Sequence, residues 1–141
     1  MELTGRSIIG FRRGAQTGVT LRATSPATGL PIEPEFHSAS SDEIDLACKL
    51  ASGAFEKYGR LPGRARGEFL RRIAQNVEAL GDQLVERAVL ETGLPAGRIQ
   101  SETVRTCNQL LMFAALIEEG SALLRRKTIS GRWVFAVGRS Y

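Results

Sequence analysis

The stretch from Arg64 to Pro95, RARGEFLRRIAQNVEALGDQLVERAVLETGLP, constrains the fold more than any other part of the chain. Its apolar residues Phe69, Leu70, Ile73, Val77, Leu80, Leu84, Val85 and Ala88 recur every three or four positions, which sets them in one stripe along a helix. Glu68, Arg71, Arg72, Glu78, Glu86 and Arg87 stand between them, so the other face is wet and the element lies at the edge of a core. Gly81-Asp82 interrupts the stripe: glycine costs a helix interior about 1 kcal/mol relative to alanine, and Asp82 offers a new N-cap. Two helices are therefore expected, over about 64–80 and 82–92. Gly93 can take the left-handed conformation that closes a helix, and Pro95 stops it continuing. Nothing in the stretch is a catalyst, and its stripe needs a partner.

Upstream, residues 6–36 read as extended structure. Arg6 to Arg12 and Val19 to Thr24 form two short strands across a Gly14-to-Gly18 turn region. Ser25-Pro26-Ala27-Thr28-Gly29 suits a tight turn, and Pro31 to Phe36 returns as a strand that Pro31 and Pro34 confine to a sheet edge. Ser40 with Glu43 is a capping-box signature, followed at helical spacing by Ile44, Ala47, Cys48, Ala51, Ala54, Phe55 and Tyr58. That predicts a helix over about 41–58, ended by Gly59 and Pro62-Gly63. A last helix, 96–119, carries Ile99, Val104, Cys107, Leu110, Leu111 and Ala114 and stops at Gly120. The fold class is α-rich α+β: short N-terminal antiparallel strands, then three or four amphipathic helices.

Charge divides the chain at residue 120. Residues 1–120 hold 14 Lys and Arg against all 15 Asp and Glu, a balance of −1, while residues 121–141 hold the other 5 basic residues and no acid. The overall +4 is thus a property of a basic tail, not of the body. Ile8-Ile9 is followed at once by Gly10 and Arg12-Arg13, unlike the apolar core of a signal peptide, and the longest apolar run, Leu110 to Ile117, is too short to span a membrane. A cytoplasmic location without a membrane partner is the expectation.

The residue types that carry chemistry are sparse. Cys107 lies on the apolar stripe of its helix and reads as inert core packing, as does Cys48. His37, beside Ser38, reads as a solvated loop histidine with no acidic or nucleophilic neighbour. Asp42-Glu43 sits at a helix N-terminus, where the dipole favours acid; Glu118-Glu119 sits at the opposite end, where it does not, and Arg71-Arg72 reads as a solvated edge. Two cysteines and one histidine make neither a disulfide scaffold nor a metal site.

The order of these pieces resembles the N-terminal segment of the NAD(P)-dependent aldehyde dehydrogenases. The resemblance rests on the Ile8-Ile9-Gly10 strand, the Ser25-to-Gly29 turn where the family usually has Asn-Pro-Ala-Thr-Gly, and the Asp42-to-Ala47 helix start. The Arg66-to-Ala74 helix and the Glu91-Thr92-Gly93 helix end before a proline complete it, so that it covers residues 4–120. Within the family, Ile32-Glu33-Pro34-Glu35-Phe36 and Gln109 to Ala114 look most like the branch acting on α-ketoglutaric semialdehyde, or 2,5-dioxovalerate.

What the resemblance implies is nucleophilic catalysis: a Cys thiolate attacks the aldehyde, hydride passes to NAD(P), and a Glu-assisted water releases the acid. The family's Asn-Phe-Pro loop, Gly-x-x-x-x-Gly phosphate turn opening a helix, Glu-Leu-Gly-Gly stretch and Gly-Gln-x-Cys are not found in these 141 residues. No catalytic, cofactor-binding or metal residue is therefore assigned, and no cofactor is expected to bind this chain, although the intact family uses NAD(P). In that family the helices cover a Rossmann-type sheet that this sequence does not encode, so their stripes are expected to self-associate or to dock on a full-length homologue.

The tail admits two explanations. Arg125-Arg126-Lys127, Arg132, Arg139, Trp133 and Tyr141 could hold a phosphate backbone with aromatic stacking. A tail rich in Arg, Ser and Gly without acid is also what an out-of-frame reading of a G- and C-rich gene gives, and this truncation reading is preferred to nucleic-acid binding. The likeness to the family is expected to stop at Ser121, with Trp133 to Val137 as the one strand beyond it.

Overall fold

A computed structural model of the chain describes residues 3–120, 124–127 and 133–136. Its contacts form two units: Met1–Arg60 with Leu80–Ser101, and Leu61–Ala79 with Glu102–Tyr141.

The first unit opens with strand β1 (Ile8–Ile9) paired antiparallel to β2 (Arg12–Arg13), with Ile8 opposite Arg13. The single strand expected over residues 6–12 is thus folded back on itself. Gly10, at φ +61°, makes the reversal, in a region that a side-chain-bearing residue enters only at a cost. The second hairpin joins β3 (Thr20–Thr24) to β4 (Pro31–His37), and both of its strands are edges. Thr24 faces Pro31 and Leu21 faces Phe36, with a bulge between Leu21 and Ala23. The Ser25-to-Gly29 turn is closed by main-chain bonds from Gly29 N–H to the Ser25 carbonyl (2.8 Å) and from Ser25 N–H to the Leu30 carbonyl (2.9 Å). The Glu33-Pro34 peptide is cis.

Helix α1 (Ser41–Tyr58) starts with the expected capping box: Glu43 N–H donates to Ser40 Oγ (3.2 Å) and Ser40 N–H donates to Glu43 Oε2 (2.9 Å). Helix α2 (Gly63–Thr92) is broken at Gly81, whose φ of +50° and ψ of −131° are not helical. Its later stretch, from Leu80, belongs to the first unit and ends at Gly93, φ +69°, whose N–H donates to the Val89 carbonyl at 2.8 Å. Ile32 and Ser25 are buried in this unit.

The second unit pairs the early stretch of α2 with α3 (Ala96–Glu119) from Glu102 onward. The buried residues here are small: Gly67, Ala74, Cys107 and Ala114. Phe69, expected in the buried stripe, is half exposed at 52%, and Val104 is exposed as well. The seam therefore runs along the small side chains, which let the helices approach closely, and the large apolar residues flank it. A Cβ on Gly67 would stand 2.9 Å from the Ala114 carbonyl oxygen and 2.7 Å from Glu118 Cγ. Strands β5 (Leu124–Lys127) and β6 (Trp133–Ala136) pair antiparallel, so Trp133 has a strand partner that was not expected.

Candidate functional site

In the first unit, the end of α2 meets the β3–β4 hairpin around Arg87. Its guanidinium donates through Nη1 to the Glu33 carbonyl and through Nε to Glu91, and lies 5.9 Å from the centre of the Phe36 ring. A Cβ on Gly93 would come within 3.3 Å of Pro26 Cγ. The Ser25-to-Gly29 turn and the Glu91-Thr92-Gly93 helix end, far apart in sequence, are thus two sides of one contact. A cleft of about 110 Å³ beside them is lined by Leu3, Leu80, Gln83, Leu84 and Arg87. It has room for a few waters, not for a dinucleotide, and its walls offer one guanidinium and one amide among three leucines.

The candidate catalytic residues are kept apart. Cys107 is 1% exposed, and its thiol lies 3.7 Å from the Ala74 carbonyl that it faces. Burial, reinforced by the negative charge of Glu78, pushes its pKa up, so it stays a protonated, inert thiol. Cys48 is exposed, contrary to the expectation that it packs in a core, because α1 buries none of its residues. His37 is the last residue of β4 rather than a loop residue, with Nδ1 donating to the Thr17 carbonyl at 3.0 Å and its N–H donating to the Gly5 carbonyl at 2.8 Å. It ties the hairpin to the segment before β1.

One carboxylate of each acidic pair has structural employment. Glu43 Oε1 accepts the Ala15 N–H at 2.6 Å, which pins the chain after β2 to the start of α1. The main-chain donors of Ser40 and Ala15, with the Ser40 hydroxyl and the Arg6 charge behind them, hold the Glu43 pKa below the usual carboxylate value. Glu118, for which the helix dipole gave no account, forms a two-pronged pair with Arg71, whose Nη2 lies 2.6 Å from Oε2. Hydrogen bonding to Arg71 lowers the Glu118 pKa and raises that of Arg71. Arg72 is exposed, as a solvated edge requires, while Arg71, still 38% exposed, ties the rim of the seam to Glu118; no sequence signal joins two residues 47 positions apart. Among the described residues no three His, Cys, Asp or Glu side chains gather as a metal site, and no helix is long and apolar enough to cross a membrane.

Comparison with known proteins decides the family. The profile of the aldehyde dehydrogenase family matches residues 12–134. The chain belongs to the aldehyde dehydrogenase family. This aldehyde dehydrogenase sequence is 45% identical over 124 residues to α-ketoglutaric semialdehyde dehydrogenase 2 of Azospirillum brasilense, covering 87% of the chain and 24% of the relative. It is 38% identical over 119 residues to the α-ketoglutaric semialdehyde dehydrogenase of Acinetobacter baylyi, covering 84% and 23%. Its fold superposes on the crystal structure of an NAD-dependent benzaldehyde dehydrogenase from Corynebacterium glutamicum with a TM-score of 0.74 at 20% identity, covering 84% of this chain and 26% of that one. The chain thus spans about a quarter of the length of the curated relatives it matches. The α-ketoglutaric semialdehyde branch read from residues 32–36 and 109–114 is the one these two relatives represent. The family match ends at residue 134, inside the basic tail and beyond Ser121, where the likeness was expected to stop. Of the tail residues, 121–123, 128–132 (with Arg132) and 137–141 (with Arg139 and Tyr141) lie outside the described residues.

Proposed function

We propose that this chain is the N-terminal portion of an NAD(P)-dependent aldehyde dehydrogenase that oxidises α-ketoglutaric semialdehyde to the carboxylic acid, and that its residues supply scaffold rather than chemistry. The observation that carries the reading is the 45% identity to the A. brasilense enzyme over 124 residues. The geometry supports the division of labour. The family's reaction needs an accessible thiolate, a carboxylate that activates water and a dinucleotide cradle. Here the thiol of Cys107 is buried and protonated, Cys48 stands on an open helix, and the carboxylates of Glu43 and Glu118 are held by main-chain donors and by Arg71. The cleft beside Arg87, about 110 Å³, is too small for a dinucleotide.

The test is exchange. Residues of this chain replace the aligned segment of the A. brasilense enzyme, and NAD(P)H formation is followed with α-ketoglutaric semialdehyde. The chimera is expected to turn over, and the 141-residue chain alone is expected to form no NAD(P)H. Turnover by the pure chain would overturn the scaffold reading, and a soluble but inactive chimera would overturn the assignment to this enzyme.

A further inference from the structure

We propose that the cleft beside Arg87 is a binding site for a short, neutral aliphatic carbonyl compound of about the size of a four-carbon ketone. The inference concerns binding alone and is independent of the dehydrogenase reading, since no thiol, carboxylate or imidazole lines the cleft.

The later stretch of α2 builds most of this cleft. Leu80, Gln83, Leu84 and Arg87 follow one another at spacings of three, one and three, so one face of the helix presents them together. Leu3, from the segment before β1, supplies the remaining wall. Arg87 is the polar member that decides what binds. Its Nε is held by Glu91 and its Nη1 by the Glu33 carbonyl, which fixes the guanidinium in place. With those two nitrogens committed, Nη2 is the one left for the cleft. It is buried and has no hydrogen-bond partner in the protein, and a buried donor of this kind calls for an acceptor.

The surrounding charge selects among acceptors. Glu91 already balances Arg87, and the Glu33 carboxylate is taken up by Arg22 at 3.0 Å. A bound carboxylate would add a second negative charge against leucine walls, where an ion without its own partner is costly. A neutral carbonyl oxygen accepts from Nη2 without that cost. It also brings no donor of its own, whereas a water at Nη2 would have both its hydrogens to satisfy beside three leucines. The alkyl part of a ketone covers those leucines instead. Volume sets the length. A cavity of about 150 Å³ holds benzene, so one of about 110 Å³ holds about five heavy atoms, those of butan-2-one.

The test is a titration of the 141-residue chain with butan-2-one, followed through the methyl signals of Leu3, Leu80 and Leu84 and the side-chain N–H signals of Arg87. We expect saturable shifts confined to these residues, with half-saturation at a concentration at least about tenfold lower than for butyrate, which has similar reach and a negative charge. Leu84→Phe fills the cleft and leaves the guanidinium contacts in place, so it should weaken ketone binding at least about tenfold. Xenon, which has no acceptor, should shift the leucine methyls and leave the Arg87 signals unmoved. Absence of saturation up to about 0.1 M butan-2-one overturns the proposal. Butyrate binding as tightly as the ketone also overturns it, because the cleft would then be an anion site. An unchanged ketone affinity in folded Leu84→Phe does the same. The comparison of ketone with butyrate uses the unaltered chain, so it decides the question even where Leu84→Phe fails to fold.

Discussion

Gly5 and Gly29 make a matched pair of probes. Both have a positive φ, +62° and +70°, and an alanine at either position pays for the left-handed conformation. That penalty is about 1–2 kcal/mol, offset by about 0.4–1 kcal/mol from the stiffer unfolded chain, for a net cost of about 1 kcal/mol. The surroundings differ. A Cβ at Gly29 meets nothing within 4 Å, whereas one at Gly5 would collide with the main-chain carbonyl of Glu35, which no rotamer change can move aside. Overpacking of this kind costs a further amount of about 1–3 kcal/mol, so Gly5→Ala is expected to cost about 2–4 kcal/mol in total. The Gly5 carbonyl accepts the His37 N–H at 2.8 Å, which makes that amide the natural reporter. In hydrogen exchange, Gly5→Ala should lower protection of the His37 amide about 5- to 150-fold more than Gly29→Ala lowers that of the Ser25 amide, at about 1.4 kcal/mol per factor of ten. Equal losses in the two variants would refute the close approach of Gly5 to β4.

Further outcomes follow from the same contacts. Arg87→Met removes a donor to the Glu33 carbonyl from a side chain only 20% exposed, and should destabilise the first unit by about 1–3 kcal/mol in urea unfolding; no change would mean that water replaces the guanidinium. Glu43 has a depressed pKa in the folded chain, so its contribution is complete above the ordinary carboxylate value of about 4.3 and is lost as pH falls through the lower folded value. The Ala15 amide should accordingly lose exchange protection on acidification below that range, and Glu43→Gln should flatten the pH dependence. Cys107, with a raised pKa, should resist a thiol reagent at pH 8 until the chain is unfolded, while Cys48 reacts at once.

The parts legible in the sequence were those written in local signals. The Ser40–Glu43 capping box, the break at Gly81 and the Gly93 helix end each depend on residues within four positions of one another, and each stands where it was read. The parts that were not legible depend on approach between distant segments. Periodicity weighs large apolar side chains, so on α2 it selected Phe69 and passed over Gly67 and Ala74, whereas on α3 it picked out Cys107 and Ala114 correctly together with the exposed Val104. Arg71 and Glu118 looked solvated and unexplained because their pairing spans two helices. Cys48 was misplaced because an amphipathic stripe marks an apolar face and does not fix how much of that face the fold buries; α1 buries none of its residues. The family marks fared better because two of them, the Ser25-to-Gly29 turn and the Glu91-to-Gly93 end, meet at Pro26 and Gly93.

The central claim is that these residues are the leading scaffold of an α-ketoglutaric semialdehyde dehydrogenase, and the most direct measurement is the turnover of the chimera with the A. brasilense enzyme. NAD(P)H formation dependent on α-ketoglutaric semialdehyde, at a kcat/KM near that of the parent, is the expected result. A soluble chimera that forms none, beside an active parent, would contradict it.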